Sequence, residues 1–108
     1  MGGGQSLAAG LGRAELFAYV GAFSSAAPDP VEDAAVKGFT TDPRKTNRET
    51  ALLWIAVGEK DFLLKRNQVF VAHLKERGIR HTYLETPGDH SWPVWRRYLR
   101  DFTPLLFR

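Results

Sequence analysis

Two runs of apolar residues predict buried β-strands. The run LFAYVGAF covers residues 16–23, and the clearest run, ALLWIAV, covers residues 51–57 and stops at Gly58. We expect a third strand over residues 81–86. Strands that are apolar on both faces are typical of a parallel sheet covered by helices. We therefore expect a parallel sheet of about three strands.

The segments after the second and third strands predict helices. Helical spacing of apolar residues indicates a helix over residues 62–77, and Gly78 follows where a helix end favours a left-handed residue. A last helix is expected after the cap residue Ser91, with Pro93 in its first turn. Its expected apolar stripe consists of Trp92, Trp95, Leu99, Phe102 and Leu106.

The rest of the chain carries weaker signals. Residues 5–15 are small and weakly helical, and the glycines at positions 10 and 12 suggest that something packs close to them. Residues 24–49 are polar and hold three of the six prolines, so we expect a loop with one helical turn over residues 31–37. The order strand, helix, strand, helix predicts a single α/β domain over residues 1–108.

Composition and charge narrow the function classes. The 44% of hydrophobic residues exclude a disordered chain, and the absence of cysteine excludes disulfides, zinc-thiolate sites and a cysteine nucleophile. The net charge of +3 is scattered, and its densest cluster, Arg96, Arg97 and Arg100, indicates a solvated helix face and not a nucleic-acid site. No apolar run approaches the roughly 18 residues that span a bilayer, and no signal peptide is recognisable, so we expect no membrane partner and a cytoplasmic location.

Two titratable residues follow the ends of neighbouring predicted strands. Asp61 lies just after the second strand and His90 just after the third. Neighbouring strands are about 4.8 Å apart, which allows a carboxylate to reach an imidazole, and an aspartate that orients a histidine is two-thirds of a hydrolase triad. The alternative interpretation is that Asp61 caps the following helix and His90 only precedes one. Asp89 competes as a partner for His90, although adjacent residues usually point apart.

Other chemistry is weakly supported. The histidines at positions 73, 81 and 90 lack metal-ligand spacing, and we expect His73 and His81 to have surface or structural roles. No glycine-rich nucleotide motif follows a strand. We expect no metal and no cofactor.

Four segments together resemble a known family. They are MGGGQSL at residues 1–7, FAYVGAFS at residues 17–24, GEKD at residues 58–61 and GDHSW at residues 88–92. They are similar to the C-terminal half of the Putative esterase family of α/β-hydrolases, which includes esterase D-like, feruloyl, acetyl-xylan and enterochelin esterases. The resemblance implies an α/β-hydrolase-like fold, a small-molecule ester substrate, and triad roles for Asp61 and His90. The small open site that half of such a fold would leave predicts short acyl chains.

The sequence departs from the family pattern at the nucleophile. The family's nucleophile elbow reads G-x-S-M-G-G, and this chain begins at its methionine, so the serine and the preceding strands are missing from the sequence. The resemblance implies that the backbone amide of Met1 belongs to the oxyanion hole. Three interpretations remain: a fragment whose N-terminal half lies elsewhere, an enzyme that recruits Ser24, Ser25 or Ser6, or an inactive interaction module. An uncovered sheet edge predicts self-association or pairing with the missing half.

Overall fold

The computed structural model describes residues 2–13 and 16–106. The elements are α1 (Gly2–Gly12), β1 (Tyr19–Phe23), α2 (Ala34–Thr41), α3 (Pro43–Glu49), β2 (Leu52–Gly58), α4 (Leu64–Glu76), β3 (Thr82–Thr86), α5 (Trp92–Phe102) and a 3₁₀ turn, Thr103–Leu105.

The described strands form one parallel sheet in the order β1-β2-β3. Tyr19 of β1 lies opposite Leu52 of β2, and Trp54 of β2 lies opposite Thr82 of β3. The central strand β2 is buried from its second residue to its last, as its uniformly apolar sequence predicts. The expected parallel sheet of about three strands flanked by helices is therefore confirmed.

The two faces of the sheet carry separate hydrophobic cores, because successive residues of a strand point to opposite faces. On one face, Leu53 and Ile55 of β2 pack in a cluster with residues of α1, α2 and α4. On the other face, Trp54 and Ala56 pack with Val94 and other residues of α5. The sheet thus lies between two helical layers, and its carboxyl edge remains open for a site.

The prediction of a loop over residues 24–49 is wrong, because α2 and α3 lie within it. Each helix begins at an aspartate whose side chain accepts backbone N–H groups: Asp33 caps α2, and Asp42 caps α3 just before Pro43. These caps satisfy amides that a helix start leaves without partners. Short helices with few apolar residues give a weak periodic signal, and the caps were the available cue.

Two further expectations need correction. The first strand begins at Tyr19 and not at residue 16, since Leu16 and Phe17 precede the pairing with β2 and are exposed. The expected stripe of α5 is correct only in part: Trp95 and Phe102 pack against the sheet, but Trp92 and Leu99 are exposed. The fully buried residues of this helix are Val94 and Tyr98. Apolar residues surround more of α5 than one stripe, so spacing alone could not identify the buried face.

Three local predictions agree with the structure. Gly78 has a φ of 75° directly after α4, which is the left-handed conformation expected there. Gly10 of α1 packs against Val20, because a Cβ atom at Gly10 would lie 2.5 Å from the Val20 Cγ2 atom. Ser91 occupies the N-cap position of α5, although its side chain makes no capping hydrogen bond.

Candidate active site

Backbone contacts hold together the two loops that follow β2 and β3. The Glu59 N–H donates to the Thr86 carbonyl at 2.8 Å, and the Lys60 N–H donates to the Gly88 carbonyl at 2.9 Å. Gly58 lies directly against Gly88: an added Cβ atom would be only 2.4 Å from the Gly88 carbonyl oxygen. Gly88 itself has a φ of 125°, which favours glycine. The loops therefore form a unit whose spacing depends on two glycines.

This unit places Asp61 beside His90. Asp61 Oδ2 lies 3.0 Å from His90 Nδ1, and the Asp61 side chain is fully buried. Its second oxygen, Oδ1, accepts the Leu63 N–H at 2.9 Å at the turn before α4. The predicted contact between Asp61 and His90 is present, whereas the alternative that Asp61 caps α4 is wrong: the N-cap of α4 is Leu63, and no side chain caps this helix.

The contact determines how the imidazole can act. An ionised carboxylate only accepts hydrogen bonds, so Nδ1 carries the proton in this contact and Nε2 keeps its lone pair. The His90 side chain is 30% exposed, so the ring is accessible to solvent, whereas the Asp61 side chain is fully buried. A buried carboxylate on Nδ1 also stabilises the imidazolium that forms when Nε2 takes a proton. This arrangement is chemically capable of proton transfer at Nε2.

A second polar pair supports the β3 end of the site. Tyr98 Oη lies 2.6 Å from Thr86 Oγ1, and the Tyr98 ring is buried in the core beneath α5. The pKa of Tyr98 is raised, and burial of the phenol is the largest cause. The hydrogen bond with Thr86 lowers the pKa, and the charge of Asp61 raises it. Tyr98 thus stays protonated at neutral pH.

Aromatic rings surround His90. The Phe62 ring centroid lies 4.9 Å from the imidazole, and the Trp95 ring lies 4.9 Å away at a near-perpendicular angle. Phe62 directly follows Asp61, and sequence reasoning missed it although its adjacency to a candidate residue was visible. The rings restrict how the imidazole can turn.

An open cavity of about 480 Å³ lies beside His90. We call it the His90 cavity; its lining includes Gly3, Ser6, Ser24, His90, Trp92 and Trp95. The first turn of α1 forms one wall, so the positive end of the helix dipole faces the space next to the imidazole. Such a wall suits an oxygen that gains negative charge.

The three candidate serines differ in their positions. Ser6 and Ser24 both line the His90 cavity, Ser6 with an exposed side chain and Ser24 with only 2% of its surface exposed. Ser25 is fully buried and packs against Gly3, outside that lining. None of the three donates a hydrogen bond to His90 within residues 2–13 and 16–106. The candidate oxyanion residue, Met1, lies outside the described residues.

The remaining candidates are not part of this arrangement. Asp89 makes no hydrogen bond to His90, whose described partner is Asp61. His81 Nδ1 lies 2.8 Å from the Ile79 carbonyl oxygen, and His73 lies on α4 in a different surface groove. In the part of the chain that the structure describes, no group of three or more metal-ligating side chains could hold an ion. No described helix is both long and apolar enough to cross a bilayer.

The structure is an α/β fold: a parallel sheet lies between helical layers, with an aspartate and a histidine paired at its carboxyl edge. Residues 1–106 match the family model described as Putative esterase. The chain belongs to that family.

Known proteins share the sequence and the fold over part of their length. An acetyl esterase from Caldicellulosiruptor saccharolyticus is 28% identical over 67 residues, which are 62% of this chain and 25% of the relative. The fold of a ferulic acid esterase is similar, with a TM-score of 0.75 and 23% identity over 97% of this chain and 48% of the other. The S-formylglutathione hydrolase FrmB from Staphylococcus aureus gives a TM-score of 0.69 and 21% identity over 97% of this chain and 51% of the other. The chain spans about half the length of these solved structures.

Proposed function

We propose that this chain carries out ester hydrolysis with Asp61 and His90 as two members of a Ser-Asp-His triad. The observation that supports this most directly is the 3.0 Å contact between Asp61 Oδ2 and His90 Nδ1 at the edge of an open cavity. Membership of the Putative esterase family supports the same reaction class. The substrates are small esters with short acyl chains, since the cavity beside His90 is about 480 Å³ and open.

The proposed reaction has two proton transfers at one atom. His90 Nε2 removes the proton from a serine hydroxyl as its oxygen bonds to the ester carbonyl carbon, and the resulting imidazolium then protonates the departing alcohol oxygen. Water cleaves the acyl-enzyme by the same two steps, which releases the carboxylic acid. Asp61 holds the tautomer and stabilises the imidazolium throughout.

The nucleophile has two candidate sources. Ser6 and Ser24 are the candidates within this chain that share the His90 cavity, whereas Ser25 lies outside its lining. The other source is a serine from a segment outside these 108 residues. A fluorophosphonate probe that reacts with activated serines, followed by peptide mass spectrometry, distinguishes these sources. Labelling of Ser6 or Ser24 supports recruitment, and an unlabelled chain supports an external serine.

Hydrolysis of p-nitrophenyl acetate by the purified chain tests the proposal. His90→Ala should lower the rate about 100-fold or more, because general acid–base catalysis typically contributes that much. Asp61→Asn should also lower it by disturbing the tautomer of His90. His73→Ala is the matched control, because it removes an imidazole from α4, away from the site. Equal rates for the wild type, His90→Ala and His73→Ala would contradict the proposal.

A second proposal concerns the sheet edge at β1, where a second copy of the chain would pair. The backbone groups of Ala18 and Ser24 bond to β2, so those of Gly21 point to the other side, which no described strand occupies. Leu16 and Phe17 expose 61% and 46% of their surface beside this edge. Unpaired strand edges with apolar neighbours favour association.

The molecular mass in solution tests this pairing. A dimer has about twice the chain mass of 12.1 kDa, and Phe17→Lys should shift it to the monomer. Val69→Lys is the control, since Val69 is 54% exposed on α4, away from the edge. A wild-type monomer at high concentration would contradict self-association.

A further inference from the structure

His90 belongs to a chain of four neighbouring rings. Phe62 lies 4.9 Å from His90, His90 lies 4.9 Å from Trp95, and Trp95 lies 5.4 Å from Trp92. The rings come from two elements, because Phe62 belongs to the loop after β2 and the tryptophans belong to α5. The imidazole therefore has aromatic surface on both of its flanks.

The two outer rings contribute little to the stability of the fold. Phe62 exposes 78% of its surface and Trp92 exposes 76%, and neither belongs to the hydrophobic cluster on either face of the sheet. Isolated exposed apolar residues are ordinary, but contiguous exposed rings around a reactive group mark a ligand-binding surface. Packing within the described residues does not account for these two rings.

The rings of Trp92 and Phe62 border different spaces beside His90. Trp92 is part of the lining of the His90 cavity, next to the first turn of α1, whereas Phe62 is not. Among the described ring contacts, Phe62 touches His90 and neither tryptophan. A ligand centred on His90 thus meets Trp92 on the cavity side and Phe62 on the other.

The mechanism of ester hydrolysis indicates which half of the substrate occupies each of the two spaces. The carbonyl oxygen gains negative charge during attack, and the first turn of α1 in the cavity wall is the place where that charge is favourable. The alcohol oxygen must lie next to His90 Nε2 to receive its proton. A substrate with its carbonyl oxygen at this wall can place its acyl group in the cavity and its alcohol on the Phe62 side of His90.

We propose that Trp92 bounds the subsite for the acyl group and Phe62 bounds the subsite for the alcohol, so that preferred substrates are uncharged esters with an apolar group on each side of the ester bond. This inference rests on the proposed ester hydrolysis. Each methylene group that a ring removes from water is worth about threefold to fourfold in binding. The two subsites should respond independently, because each ring contacts one half of the substrate.

Binding of half-substrates tests the assignment without requiring turnover. The probes are butyramide, which imitates the acyl half, and benzyl alcohol, which imitates the alcohol half, and the NMR resonance of the His90 Cε1–H reports both. Phe62→Ala should weaken the binding of benzyl alcohol about fivefold to tenfold and leave that of butyramide unchanged. Trp92→Ala should do the reverse. Leu99→Ala is the control, since Leu99 is 56% exposed on the same helix as Trp92 and should affect neither.

Turnover of two ester series gives a second readout. Trp92→Ala should lower the preference of kcat/KM for p-nitrophenyl butyrate over acetate, and Phe62→Ala should lower the preference for benzyl acetate over ethyl acetate. Comparison with the wild type cancels the intrinsic reactivity of each ester. Equal effects of both variants on both probes, or no effect, would overturn the assignment. Selective binding without hydrolysis would sustain it and contradict only the proposed function.

Discussion

The contact between Gly58 and Gly88 gives the sharpest test of how the fold positions His90. A Cβ atom at position 58 would lie 2.4 Å from the Gly88 carbonyl oxygen and 2.8 Å from its carbonyl carbon. Ordinary carbon–oxygen contacts begin at about 3.3 Å. Gly58→Ala therefore requires the loop that carries His90 to move by about 0.9 Å. Both atoms belong to the backbone, so no side-chain rotation can relieve the overlap.

The displacement predicts losses in both activity and stability. Added to the 3.0 Å contact between Asp61 and His90, it would take the two atoms beyond hydrogen-bond range. A misplacement of about 1 Å can cost roughly 100-fold in rate, and overpacking costs about 1–3 kcal/mol of unfolding free energy. We expect Gly58→Ala to lower p-nitrophenyl acetate hydrolysis to that extent.

The measurements are hydrolysis rate, the free energy of unfolding in urea and the ¹⁵N shifts of the His90 ring. Gly38→Ala is the matched control, because a Cβ atom there meets nothing within 4 Å and alanine favours the helical conformation of α2 by about 1 kcal/mol. It should hydrolyse at the wild-type rate and be slightly more stable. Wild-type activity and stability in Gly58→Ala would refute the reasoning.

Two other predictions concern stability. Asp33→Ala should lower the free energy of unfolding by about 1 kcal/mol, because the Asp33 carboxylate caps α2 through the N–H groups of Ala35 and Val36. Asp33→Asn should retain most of the stability that the cap contributes. Equal urea midpoints for the wild type and both variants would count against the cap. Tyr98→Phe should change how the free energy of unfolding falls at alkaline pH. Because the pKa of Tyr98 is raised in the folded state, its contribution is complete below the unfolded pKa of about 10 and is lost as pH rises through the folded value. Above pH 10 the wild type should lose stability faster than Tyr98→Phe, and parallel curves in urea titrations from pH 8 to 11 would be inconsistent with that linkage.

The central strand and the Asp–His contact could be predicted because each depends on a strong local pattern. An unbroken apolar run admits few alternatives to a buried parallel strand, and β2 lies within one residue of its predicted bounds. Asp61 and His90 each follow a strand end, and neighbouring parallel strands bring their carboxyl ends together. The apolar run and the order of the strands were therefore sufficient to predict the contact between these two side chains.

Other features depend on contacts that no local pattern contains. Whether Ser24 or Ser25 faces the His90 cavity depends on one backbone angle, because Ser24 has a φ of 49° and turns the chain at the end of β1. The buried face of α5 depends on Trp54 and Phe23, which pack against Tyr98 on the same face of the sheet. The sequence alone does not distinguish two adjacent serines, or the sides of a helix that has apolar residues on several of them. Tertiary packing determines which serine lines the cavity and which side of the helix is buried.

The Asp61–His90 pair is held by a single βαβ unit and the loop that follows it, with 29 positions separating its members. Closing a loop of that size costs little more entropy than closing a much shorter one, since the cost grows only with the logarithm of length. The pair should therefore become ordered early, as β2, α4 and β3 assemble, and before β1 docks. A circular permutant with new termini between α2 and α3 would leave that order of events intact, because residues 52–98 would stay contiguous.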